Sequence, residues 1–207
     1  RGSWIGIILG IMLFFGCFLV IEKQWPKSYV YLLVVTTILI FVLFSVVMIN
    51  GEDTLGLARR TAQWRLGIWQ ESLPMVKDRP LLGHGLNTYM PLFQFYRNNF
   101  HYNPTYAHNS FLQLACEVGL LGLAAYLSII LKLFYKTIIG VKEGMVRDPI
   151  LGLILLGLLS GVFSYFVQSF FDTNFYSLQL SVYVWYIMGL IAAGLSWQYQ
   201  QIKPNDN

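Results

Sequence analysis

The chain is 207 residues long, 56% hydrophobic and only 12% charged, with a formal net charge of +4. Soluble domains carry roughly a quarter charged residues, so this composition excludes an ordinary soluble fold and points to a membrane protein. The small positive balance implies no nucleic-acid partner; it carries topology information and hints at an anionic substrate.

The first segment opens RGSWIGIILG, without an initiating Met, and its apolar run continues to Ile21 with no small-residue cleavage site. That is not a signal-peptide pattern, and it reads as a fragment beginning inside a larger protein. Apolar stretches at 4–21, 29–49, 110–131, 150–170 and 178–197 approach the roughly 20 residues a helix needs to cross a bilayer core. Lipid offers no partners to open backbone groups, so all five are expected as helices. The fold class is therefore all-α: a polytopic helical membrane protein with a partly helical outer loop. Gly6 and Gly10, and later Gly157 and Gly161, have the small-xxx-small spacing that lets helices approach closely. Cys17 and Cys116 sit inside apolar runs, without metal-ligand spacing, and read as small packing residues.

The expected organisation is two transmembrane helices over 1–49, a large periplasmic loop with an amphipathic helix over 50–107, and a transmembrane helix over 108–135. A cytoplasmic loop over 136–149 follows, then two transmembrane helices and a short tail over 150–207. Lys23, Lys27, Lys136, Lys142, Arg147 and Lys203 mark alternate links, whereas the link FDTNFYS (171–177) has no basic residue. The positive-inside rule then places the lysine-bearing links in the cytoplasm, and Arg1, the 50–107 loop and Asp172 outside. Against this, the outer loop holds Arg59, Arg60, Arg65, Lys77, Arg79 and Arg97. Most are arginines, suited to bidentate phosphate or carboxylate contacts, so the excess fits an anionic ligand.

Within that loop Leu66, Trp69, Leu73 and Val76 recur at four-three spacing and predict a helix. Asp53 or Thr54 would cap its start, and Pro74 would kink or divide it. PLLGHGLNTY (80–89) is turn-rich, and LFQFYRNNFHYNPTY (92–106) is aromatic and polar, like a surface against headgroups or sugar rings.

The candidate chemistry lies in PTYAHNSFLQLACEVGLLG (104–122). His108 opens a helix whose dipole disfavours imidazolium, so it is a candidate general base; the plainer reading is an interfacial histidine that caps or snorkels. Asn109, Ser110, Gln113 and Glu117 share a helical sector and must face protein or water, either orienting a substrate or binding a neighbouring helix. Arg65 and Trp69 lie one turn apart, placed to grip a phosphate and pack on lipid or sugar, or merely to meet solvent and headgroups. Asp172 sits at an outer helix end, to pair with an arginine or to end the helix. His84 and His101 read as loop histidines. No Walker motif, HExxH, paired-cysteine site or DxD is present. An enzyme built this way would work without nucleotide hydrolysis and would neutralise its leaving group with arginine.

Arg65-xxx-Trp69, DRPLLGHG (78–85) and AHNSFLQLACEVGLLGLAAYL (107–127), with the opening RGSW, resemble the O-antigen ligase and O-antigen polymerase family of bacterial envelope proteins. The resemblance runs from Arg1 to about Asp172; His84 departs from it, since the family more often has an apolar residue between the two glycines. It implies a multi-helix protein of the bacterial inner membrane with its active face periplasmic. The implied activity transfers a glycan from an undecaprenyl-pyrophosphate carrier to an acceptor hydroxyl on lipid A core, a glycan or a protein, with no metal and no cofactor. By the same resemblance His108 would be the general base, and Arg65 and Arg1 would hold the pyrophosphate. Trp69, Asn109, Gln113, Glu117 and Asp172 would bind or support substrate. The competing readings are a bicarbonate-transport-associated protein of the same superfamily and a noncatalytic envelope-assembly subunit. A transporter should carry polar groups or broken helices at the bilayer midplane, whereas here the polar residues gather at the outer edge.

Overall fold

A computed structural model describes residues 2–21, 28, 35–36, 39, 52–98, 103–144 and 148–202. Arg1, His101, Lys23, Lys27, Arg147, Lys203 and nearly all of the expected second span at 29–49 lie outside the described residues.

Among the described residues the protein is all-helical. In chain order come α1 (Gly2–Ile21), α2 (Glu52–Asp78), α3 (Tyr89–Tyr96), α4 (Ser110–Gly144), α5 (Pro149–Ser169) and α6 (Leu178–Ile202). A 3-10 turn, Asn174–Tyr176, lies between the last two. Helices α1, α4, α5 and α6 are long and apolar enough to cross a membrane. Helix α4 continues to Gly144, through the loop expected from 136, so Lys136 and Lys142 are helical. Lysine is a good helix former and its stem lets the ammonium snorkel away from lipid, so it need not end a spanning helix.

The chain divides into two compact units. One is formed by the described residues of Arg1–Leu39, Ile129–Gln168 and Ser177–Asn207. Its buried positions include Val141, Leu155, Leu156, Leu159, Val162, Val184, Met188 and Ile191, while Ile7, Val20, Ile154 and Leu190 remain exposed. Helices apolar on every side are what lipid requires. Gly6 and Gly10 do bring helices together: a Cβ on them would lie 2.6 Å from the Ser164 carbonyl oxygen and 2.9 Å from that of Ser160. Gly157 and Gly161 do not, since a Cβ on the first meets only Phe14 at 3.9 Å and on the second meets nothing within 4 Å.

The second unit, the described residues of Ile40–Ser128 and Ser169–Tyr176, has its core at Ile68, Met75, Tyr89, Phe93, Ala107 and Cys116. Helix α2 begins at Glu52, so Asp53 and Thr54 lie in its first turn rather than at its cap, and Pro74 sits inside without dividing it. Its buried face is shifted from the one the apolar periodicity suggests: Trp69 and Val76 pack against the core, but the two leucines do not. Ile68, Ser72 and Met75 are fully buried, whereas Leu66 and Leu73 are 52% and 48% exposed. The period holds, but a small serine bonded to Tyr89 packs inward in place of the leucines.

The helix that carries the histidine motif is broken. Gly119 has φ 72° and ψ −179°, a backbone region open essentially to glycine alone, and helix resumes at residue 120. The PLLGHG loop fills the break. His84 and Gly85 donate backbone N–H groups to the carbonyls of Cys116 and Glu117, at 3.0 and 2.7 Å. Leu120 and Leu121 donate to the carbonyls of Pro80 and Leu81, at 2.7 and 3.3 Å. Groups that a broken helix leaves without partners are thus paired across the loop. The approach is so close that a Cβ on Gly83 would lie 2.5 Å from the Glu117 carbonyl, and one on Gly119 would overlap the carbonyl oxygen of Leu81. The apolar stretch expected to span from 110 is therefore a short helix over 110–118 followed by the long segment 120–144.

Candidate active site

Asn109 is the N-cap of α4, its Oδ1 accepting the backbone N–H of Phe111 and Leu112 at 3.0 Å each. The residue before it, His108, has φ 50°, in the left-handed region where histidine is among the enriched residue types. This turn carries the imidazole to Asp172, with Nδ1 3.3 Å from Oδ1. The ring is also 5.3 Å, centroid to centroid, from that of Trp64. His108 and Asp172 are 29% and 47% exposed at their side chains, so the pair is open to a ligand.

Asp172 is fastened in turn. Ser110 donates its backbone N–H and its hydroxyl to the Asp172 carbonyl, at 3.2 and 3.0 Å. The carboxyl sits below its ordinary range chiefly because it accepts the His108 hydrogen bond; the Thr173 backbone N–H and the charges of His108 and Arg65 add to this, and burial opposes it.

Helix α2 holds both members from behind. Trp69 donates its indole N–H to the carbonyl of Ala107, at 2.9 Å, immediately before His108. Arg65 donates from Nη1 to the carbonyl of Phe171, at 2.6 Å, immediately before Asp172. One turn of one helix therefore positions two segments that are far apart in sequence. Trp69 also packs edge-on against Phe170, so it is a strut and not an open platform. Arg65 is only partly engaged: its buried Nε has no hydrogen-bond partner among the described residues.

Gln113 and Glu117 form an inner layer. Gln113 accepts the Ala107 N–H at 3.0 Å and donates to Glu117 at 3.2 Å. The Glu117 carboxylate, 1% exposed, also accepts from the backbone N–H of Asn87 at 2.8 Å, that of Tyr89 at 3.2 Å and the Tyr176 hydroxyl at 2.7 Å. Burial and this bond to Glu117 push the Tyr176 phenol far above its usual range. The polar atoms of Gln113 and Glu117 are thus engaged within the protein. The structure turns Asn109, Gln113, Glu117 and Trp69 inward, with donors and acceptors matched by protein.

The expected residues thus separate into a half-open group, His108, Asp172 and Arg65, and a buried framework. Sequence reasoning missed Trp64, although it adjoins Arg65, and Tyr176, four residues after Asp172. His84 lies in the framework too, its Nε2 2.9 Å from the Met75 carbonyl near the end of α2. Among the described residues no cluster of three or more His, Cys, Asp or Glu is arranged to hold a metal.

Comparison with protein families matches residues 1–127 to the family described as O-antigen ligase. The chain belongs to the O-antigen ligase family. The matched span includes Arg65, Trp69, His108, Asn109, Gln113 and Glu117, and Asp172 lies beyond it. Members of the O-antigen ligase family are inner-membrane proteins, typically O-antigen ligase or polymerase enzymes, in keeping with the candidate spans. Comparison with curated proteins and with solved structures found no match.

Proposed function

We propose that the protein is a membrane glycan transferase that moves an oligosaccharide or polysaccharide from an undecaprenyl-pyrophosphate carrier to an acceptor hydroxyl on the periplasmic face. The reading is carried by one observation: a half-exposed His108–Asp172 pair whose two backbone segments are tied to Trp69 and Arg65 of one helix. With Nδ1–H given to Asp172, the Nε2 of His108 is the acceptor of the substrate hydroxyl proton. The oxygen so activated attacks the anomeric carbon from the side opposite the pyrophosphate. The bond from that carbon to phosphate oxygen breaks, the electron pair leaves with the carrier pyrophosphate, and the anomeric configuration inverts. Arg65, whose charge already acts on Asp172 and whose Nε lacks a partner among the described residues, stabilises the departing charge. Arg1 is assigned to the same pyrophosphate by the family resemblance alone. The acceptor is lipid A core, a growing glycan or a protein.

The test uses the full-length protein in detergent with undecaprenyl-pyrophosphate-linked glycan, candidate acceptors and a chelator. Wild type transfers glycan with chelator present, and His108→Ala and Arg65→Ala each reduce the rate by about 10²-fold or more. Undiminished transfer by His108→Ala overturns the base assignment, and arrest of the wild type by chelator overturns metal independence.

A further inference from the structure

The tip of the PLLGHG loop is apolar and exposed. Leu81, Leu82 and Leu86 are 60%, 78% and 69% exposed, at positions where a turn facing water carries small polar residues. Three neighbouring leucines held outward mark an interaction surface rather than scattered surface apolarity.

We propose that residues 80–86 are immersed in the lipid of the bilayer interface, as a leucine anchor continuous with the spanning segment that starts at Leu120. Three observations converge on lipid as the occupant. The first is continuity. Leu120 and Leu121, 46% and 57% exposed at the start of the spanning segment, bond directly to the backbone of Pro80 and Leu81. The leucines of loop and helix thus lie side by side along one bonded junction. The second is the backbone. Backbone polar groups that find partners within the protein cost less to bring out of water into the interface. Here the carbonyls of Pro80 and Leu81 and the N–H groups of His84 and Gly85 all bond across the break, and the Gly83 N–H bonds to the Arg79 carbonyl. The third is charge. Exposed Lys77 and Arg79 immediately precede the loop, where basic side chains reach anionic headgroups while the apolar tip goes deeper.

The anchor accounts for a polar stripe in a stretch that reads as membrane-spanning. A loop fixed in the interface holds the Gly119 break at the hydrocarbon boundary, so the helix over 110–118 with Asn109, Gln113 and Glu117 need not enter lipid. This inference uses no step of the transfer reaction and stands apart from it.

The experiment places a nitroxide at position 82, and separately at 86, in the full-length protein with its native cysteines replaced. The protein is reconstituted in phosphatidylethanolamine–phosphatidylglycerol vesicles. Collision rates with oxygen and with a water-soluble nickel chelate are compared with those of labels at Asn98 and at Ile154, exposed on the apolar helix α5. Lipid immersion gives an oxygen-to-nickel ratio severalfold above that at Asn98 and approaching that at Ile154, at both loop positions. Nickel collisions equal to those at Asn98 place the loop in water, and protection from both reagents means that protein covers it; either result overturns the anchor. Both side chains are mostly exposed, so labelling leaves the core contacts unchanged, and a wild-type thermal midpoint for each labelled protein checks this.

Discussion

His108 takes its geometry from its neighbours and, in the proposed reaction, its chemistry from Asp172. Asp172→Asn keeps the size and the acceptor oxygen but removes the charge that favours imidazolium as the proton arrives. Glycan transfer is expected to fall by about 10²-fold or more with little change in acceptor KM; steady-state kinetics against a folded-protein control checks this. The same carboxyl gives a pH signature. Its folded pKa is depressed below the ordinary 3.8, so its contribution to stability is complete above that value and is lost as the pH falls through the folded one. Thermal midpoints of wild type and Asp172→Asn should therefore differ by a constant amount at neutral pH and converge in acid, below 3.8. Glu117 behaves differently, because it is a keystone and not a reactant. Glu117→Ala leaves the N–H groups of Asn87 and Tyr89, the Gln113 amide and the Tyr176 hydroxyl without their common acceptor. At about 1–3 kcal/mol for each buried group left unpaired, the variant is expected to fail to accumulate in the folded state. Size-exclusion yield in detergent and thermal unfolding measure that directly.

At the scale of elements, the splice between the PLLGHG loop and the Gly119 break decides whether the histidine-bearing helix has a fixed end. Gly119→Ala forces a side chain into a glycine-only backbone region, a cost of about 1–3 kcal/mol before sterics, and drives its Cβ into the Leu81 carbonyl oxygen. Gly83→Ala meets the Glu117 backbone from the other side. Both should lower the thermal midpoint sharply and reduce transfer together with folded yield. Gly161→Ala is the contrast: its added methyl meets nothing within 4 Å inside a helix. It should leave the midpoint unchanged or raise it slightly, by the roughly 0.5–1 kcal/mol that glycine costs relative to alanine in helices. In the sequence these glycines look alike. Spacing marks Gly157 and Gly161 as well as Gly6 and Gly10, yet only the latter pair meets a neighbouring backbone closely, because the facing positions Ser160 and Ser164 are small. A helix break sealed by a loop some 35 residues earlier leaves no periodic trace, so the 110–131 stretch reads as one ordinary span.

For the whole molecule, the four long apolar helices among the described residues were legible because lipid dictates helices of about 20 apolar residues and because polar groups stand out against them. The roles within the polar set were less legible. Sequence spacing groups Asn109, Ser110, Gln113 and Glu117 on one helical sector next to His108, but only the tertiary partners, such as Tyr176 and the Asn87 backbone, show how the buried members are engaged. The expected orientation rests on charge and can be tested directly. His108 and Asp172 touch, so they share one side of the membrane. Helix α5 is 21 residues long, about 31 Å, and so long enough to cross a bilayer core. By the positive-inside rule, Lys136, Lys142 and Arg147 carry the expectation that the 136–149 segment is cytoplasmic and the site periplasmic. A single cysteine at Asn103, exposed near the site, should react with a membrane-impermeant maleimide in intact cells, whereas one at Asp148 should react only after permeabilisation. Labelling of both in intact cells, or the reverse pattern, removes the periplasmic placement of the site. It would remove the extracytoplasmic transfer reaction with it, because the carrier-linked glycan and the base must meet on one face.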